Sequence, residues 1–195
     1  MSGSILYVFV VGFHHKRGCQ VEYSYPPINN KTRISDEDLP PEWKTLPSLA
    51  LPDGAHNFEK DSVFFHLPSL EKPNQTVYGV SCYRQISSQT LLNRSEDVTR
   101  CTVQKSVCVL SVLPLYGLLK AELEAITQVY FSQCDFDKVE LLAEMYEHLK
   151  RTINISELKN RAMYGTFGRS TFISSKLVLT NVFIYSTEQI SVYCY

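Results

Sequence analysis

The sequence lacks an excess of charge of either sign: lysine and arginine total 19 against 20 acidic residues in 195, for a net charge of −1. Such a balance gives no general pull toward nucleic acid or an anionic membrane. There is no Cys-x-x-Cys pair among Cys19, Cys82, Cys101, Cys108, Cys134 and Cys194. These residues sit in apolar or strand-like runs, where reduced cysteine behaves as a small hydrophobe. No run is long enough to span a bilayer. The apolar stretch Ile5 to Val11 has neither preceding basic residues nor a small-residue cleavage site, so it does not read as a secretory leader. Asn30, Asn74, Asn93 and Asn154 head Asn-x-Ser/Thr triplets, which are then chance matches. A cytosolic, reduced protein is expected.

Catalytic signatures are absent as well. No G-x-S-x-G, H-E-x-x-H or kinase set occurs. "YGTFGRST" (Tyr164 to Thr171) has two glycines but lacks the lysine-serine ending of a phosphate loop. Glu96 and Asp97 are adjacent in a polar stretch and read as solvated, not as a tuned acid/base pair. "GFHHKRGCQVEYSYPP" (Gly12 to Pro27) brings His14, His15 and Cys19 close in sequence. Zinc needs about four tetrahedral ligands, and adjacent histidines on a strand end point to opposite faces. Cys19 starts a strand with no helix N-terminus to lower its pKa, which weighs against a thiol nucleophile. A polar hairpin tip is the expected reading, with a metal or thiol enzyme as the competing one.

What is present is ordinary globular composition, 44% hydrophobic and 20% charged. "ILYVFVVGF" predicts a strand buried on both faces. In "CQVEYSYPP", Val21, Tyr23 and Tyr25 alternate with Glu22 and Ser24, a half-buried strand that Pro26 and Pro27 should stop. Gly18 supplies the positive φ of a tight hairpin between the two. Asn29 to Leu39 reads as a surface loop. "PPEWKTLPSLALPDG" predicts a short or kinked helix with Trp43, Leu46, Leu49 and Ala50 on one face, closed by a Pro52-Asp53-Gly54 turn. "SVFFHLPS", "TVYGVSCYRQI" and "VQKSVCVLSVLP" are three more strands. The apolar period then changes to three and four, predicting helices from about Tyr116 to Phe131 and from Asp137 to Ile153, the second capped by Asp135. Hairpin-length links favour an antiparallel sheet with helices on its faces. The segment 154–195 is strand-like with weak turn signals, a possible extra strand pair or altered end. Trp43, beside Glu42 and Lys44, reads first as a packing residue and second as a partner-binding anchor.

The blocks "VVGFHHKRGCQVEYSYPP", "LPPEWKTLPSLALPDGAHN", "VFFHLPS", "VYGVSCYRQI" and "VQKSVCVLSVLPLYGLL" closely resemble the N-terminal module of DENN-domain proteins, in the branch named Avl for a yeast protein of the late secretory pathway. The resemblance covers Leu6 to about Ile153. It implies an α+β, longin-like fold, a mostly antiparallel sheet sandwiched by helices, over residues 1–153, with 154–195 a poorly matched tail. It implies a membrane-trafficking interaction module of a regulator of Rab GTPases, acting in late secretory or endosomal recycling traffic and in cell migration. Peripheral recruitment to recycling endosome or post-Golgi membranes goes with it. No cofactor, no metal and no covalent catalytic residue are implied. Partner contacts at Glu42, Trp43 and Lys44 are the candidate site. In the family a following, larger module completes the grip on the GTPase. That module is expected to be missing here, which would leave apolar surface exposed. A competent exchange factor and a nonfunctional truncated product are the alternatives.

Overall fold

A computed structural model describes residues 4–92 and 101–153. Six strands form one antiparallel sheet: β1 (Ile5–His14), β2 (Gly18–Ile28), β3 (Lys31–Arg33), β4 (Lys60–Pro68), β5 (Thr76–Ser87) and β6 (Thr102–Ser111), in the spatial order β3-β2-β1-β6-β5-β4. Two long helices, α2 (Tyr116–Ser132) and α3 (Glu140–Thr152), cover one face. The other face is covered by the connection between β3 and β4, which contains a 3₁₀ turn (Pro41–Trp43) and the short helix α1 (Leu46–Ala50). The result is the α+β, longin-like sandwich that the sequence implied.

Two cores follow from the pleat, because successive side chains point to opposite faces. Val8, Val10, Val107 and Val109 pack under Leu119, Leu123, Leu142 and Leu149. Phe9, Val11, Cys108 and Leu110 pack against Trp43, Leu46 and Ala50. β1 and β6 are therefore buried on both sides, as their unbroken apolar runs require.

Strand β2 departs from its sequence pattern. Pairing with β1 shifts between Val10↔Tyr23 and Val11↔Val21, so Glu22 is an extra residue in β2. A bulge of one residue reverses the alternation. Val21 consequently joins the Trp43 core while Tyr23 joins the helix-covered core, and Ser24 is fully buried. The strand also runs through Pro26 and Pro27 to Ile28. Both lie past the last β1 pair, Val8↔Tyr25, and oppose only the three-residue β3, so the lost donors break no continuous ladder.

Other boundaries moved for local reasons. The expected loop 29–39 contains β3 and a 3₁₀ turn at Asp36–Asp38, closed by a reciprocal Ser35/Asp38 capping box. Leu49 is half-exposed, not on the buried face with Leu46 and Ala50. The last helix starts at Glu140 with Val139 as its N-cap. The Asp135 carboxylate accepts instead from the Asp137 N–H, three residues upstream of the helix. Glu96, Asp97, the "YGTFGRST" stretch and 154–195 lie outside the described residues.

Gly79 opposes Phe65 across β4 and β5, and the aromatic ring lies over it. A Cβ built at Gly79 would sit 2.4 Å from the Phe65 ring. Gly79→Ala is expected to destabilise the fold by about 1–3 kcal/mol through overpacking. Chemical denaturation checks it, and Phe65→Leu in the same background should recover part of the loss.

Candidate functional site

The hairpin tip is polar, as expected. Gly18 has φ +80° and closes the turn from His14. The turn does not splay the histidines to opposite faces. Residue 15 has left the strand, and the two rings stack with centroids 4.9 Å apart. His14 Nδ1 accepts from the backbone N–H groups of Lys16 and Arg17, at 3.2 Å each. Cys19 is half-buried and free. Burial pushes its thiol pKa up, helped by the negative charge of Asp36, the reverse of what a thiolate nucleophile needs. Cys82 and Cys108 are raised for the same first reason. Among the described residues no three His, Cys, Asp or Glu side chains converge as a metal site would require.

Trp43 is 1% exposed. Its Nε1–H donates to the Pro68 carbonyl at 2.9 Å, and its ring meets Tyr7 and Phe9 edge-on at 5.6 and 6.4 Å. This is packing, with the indole donor satisfied as a buried tryptophan demands. Glu42 and Lys44 flank it and are exposed. The Lys44 ammonium donates to the backbone carbonyls of Asp36 and Glu37, tying the turn to the preceding one. The three residues thus form a surface step whose outer members are charged and whose middle member anchors it.

A groove of about 420 Å³ lies where β1, β2 and β6 meet the α2–α3 connection. Glu22, the bulge residue, forms an ion pair with Lys105 of β6. The Lys105 side chain is 10% exposed and its ammonium lies 5.1 Å from the Phe136 ring centre. Gly12 makes this possible. A Cβ there would fall 2.0 Å from a Glu22 carboxylate oxygen. Beside the pair, Tyr23 donates its hydroxyl proton to Asp137 at 2.9 Å, and Arg33 bonds both groups. Burial is the main influence raising the Tyr23 pKa, with the Arg33 bond opposing it. The bonds to Asp137 pin the α2–α3 connection to the sheet, and the Glu22–Lys105 pair ties β2 to β6. The Lys105 and Asp137 partners lie 83 and 114 positions away, so nothing local in the sequence signals them. The groove carries charge pairs and hydrogen bonds.

Among the described residues no helix is long and apolar enough to cross a membrane. The family described as "Transport protein Avl9" matches residues 5–185. The late secretory pathway protein avl9 of Schizosaccharomyces pombe (strain 972) is 42% identical over 150 residues, which is 77% of this chain and 30% of that protein. The late secretory pathway protein AVL9 of Saccharomyces cerevisiae is 34% identical over 173 residues, 80% of this chain and 22% of that protein. The chain spans less than a third of the length of these curated relatives. A match that begins with β1 and runs beyond the end of α3 takes in every element of the sandwich, and on it the chain belongs to the Avl9 family of transport proteins.

Proposed function

We propose that this chain is a membrane-trafficking interaction module that binds a Rab-type small GTPase in late secretory or endosomal recycling traffic. The observation that carries the reading is the family match over residues 5–185, with relatives named for the late secretory pathway. Residues 1–153 form the module. Its partner contacts fall on Glu42 and Lys44, with Trp43 holding their backbone in place. Recruitment to recycling endosome or post-Golgi membranes is peripheral and follows from the partner, and the cell-migration role follows from that traffic.

The mechanism is differential affinity. A module that prefers the nucleotide-poor GTPase weakens nucleotide binding by the same factor, because coupling between two ligands is reciprocal. A complete exchange factor is the second reading, favoured by the same family match. Release of fluorescent GDP from a panel of purified Rab GTPases, with folded chain in excess, separates the two. The interaction module binds at least one member and leaves release near its intrinsic rate. Acceleration assigns full exchange activity to this chain. Absence of both binding and acceleration overturns both readings.

A further inference from the structure

The sheet has two edges, and they are treated differently. β3 is three residues long, carries Lys31 and Arg33, and follows two prolines. Such devices keep other strands away. β4 is nine residues long and pairs with β5 without a register shift from Lys60↔Arg84 to Pro68↔Thr76. Among the described residues its outer side is closed only at the ends. The Ser62 N–H is held by the Asp61 carboxylate at 2.7 Å, and the Pro68 carbonyl by Trp43 Nε1. Both groups face away from β5. In an antiparallel strand each alternate residue turns its N–H and C=O to the same side, so Phe64 and His66 share that outward direction. Among the described residues neither makes a backbone hydrogen bond across the outer edge.

The surroundings of this window define what fits it. On the helix-covered side, Phe64 and Tyr116 are half-buried, His66 is exposed, and the rings of Phe64 and Tyr78 meet Tyr116 edge-on at 5.3 and 5.9 Å. That is an aromatic shelf beside free backbone donors and acceptors. At the start of the strand the charges are unbalanced. Lys60 lies directly opposite Arg84, a like-charge cross-strand pair that is unfavourable by itself. Lys120 of α2 lines the same depression of about 200 Å³. Two carboxylates also line it. Asp61 is turned to its own backbone, and Glu124 stands 3.9 Å from Lys120. Among the described residues neither Lys60 nor Arg84 has an ion-pair partner.

We infer that the β4 edge is a docking site for an extended acidic peptide segment of a partner protein, added to the sheet as a further strand. Its backbone bonds Phe64 and His66. One apolar side chain rests on the Phe64–Tyr116 shelf, and one carboxylate sits between Lys60, Arg84 and Lys120. Main-chain bonds supply affinity in this mode and the flanking side chains supply selectivity. The inference stands on the edge geometry and the flanking basic residues and is independent of any GTPase.

The test uses the full chain and two fluorescein-labelled decapeptides of alternating valine and threonine, one ending in aspartate at both ends and one in lysine. Fluorescence anisotropy should show the acidic peptide binding at least 10-fold more tightly than the basic one. Lys60→Glu should cut the acidic peptide's affinity by at least 10-fold and improve that of the basic peptide. His66→Pro removes one outward N–H, a change edge strands tolerate. It should abolish binding of both peptides without changing the circular dichroism spectrum. Failure of the acidic peptide to bind overturns the inference. So does equal binding of the two peptides, or binding that Lys60→Glu leaves unchanged. Concentration-dependent dimerisation of the free chain, lost in His66→Pro, would assign the edge to a second copy and would also overturn it.

Discussion

Trp43→Ala is expected to lower stability by on the order of 3–5 kcal/mol, the cost of deleting a fully buried large aromatic. Three losses combine. The indole ring leaves a cavity beside Tyr7 and Phe9. The Pro68 carbonyl loses its donor, and the connection that covers the second face loses its largest buried side chain. Leu46 and Ala50 sit on the same connection and would loosen with it. Trp43→Phe restores most of the volume but not the hydrogen bond, so it should recover the greater part of the loss. Its residual deficit should be near the ~1 kcal/mol of a net hydrogen bond. Urea unfolding of the three proteins measures this. An unchanged midpoint for Trp43→Ala would mean that the 3₁₀ turn and α1 contribute nothing to the fold.

Glu22→Gln is expected to be the second most damaging change, out of proportion to a surface carboxylate. The substitution keeps the size of the side chain and removes its charge. Lys105 then remains 10% exposed without its ion-pair partner. An exposed pair contributes about 0–1 kcal/mol, and breaking a fully buried one costs about 3–5. Glu22 is 30% exposed, so a loss of about 2 kcal/mol is expected between those limits. Removing both charges with Lys105→Met and Glu22→Gln should cost less than Glu22→Gln alone, because no uncompensated ammonium is left. The order of the two midpoints is the informative result. A double variant less stable than the single one would contradict the burial argument. Gly12→Ala should reproduce part of the Glu22→Gln effect by pushing the carboxylate off Lys105.

Much of this architecture is legible in the sequence, and the exceptions have physical causes. α2 and α3 show because Leu119, Leu123, Leu142, Met145 and Leu149 recur with the helical period and land on one covered face. β1 shows because a strand buried on both faces must be apolar throughout. The packing role of Trp43 follows from its size. Glu22 is the clearest exception. A single inserted residue is invisible to a two-residue period, yet it sends Val21 and Tyr23 to different cores. Lys105 reads as an ordinary polar residue in a strand, because its partner lies 83 residues away. β3 is missed because three residues flanked by turns carry no alternation to detect. At the hairpin tip the sequence reads as a polar turn whose adjacent histidines point to opposite faces, but the two imidazoles stack, because residue 15 has left the strand. The family blocks carry the functional reading further than any single residue does, because the family match spans residues 5–185.

The most direct measurement is equilibrium binding of the folded chain to purified Rab GTPases, each in nucleotide-free and GTP-loaded form. The account expects at least one member to bind, with the nucleotide-free form preferred by 10-fold or more, about 1.4 kcal/mol of coupling. Glu42→Lys should weaken that binding while leaving the unfolding midpoint unchanged. Equal affinity for the two nucleotide states, or no binding to any member, would contradict the account.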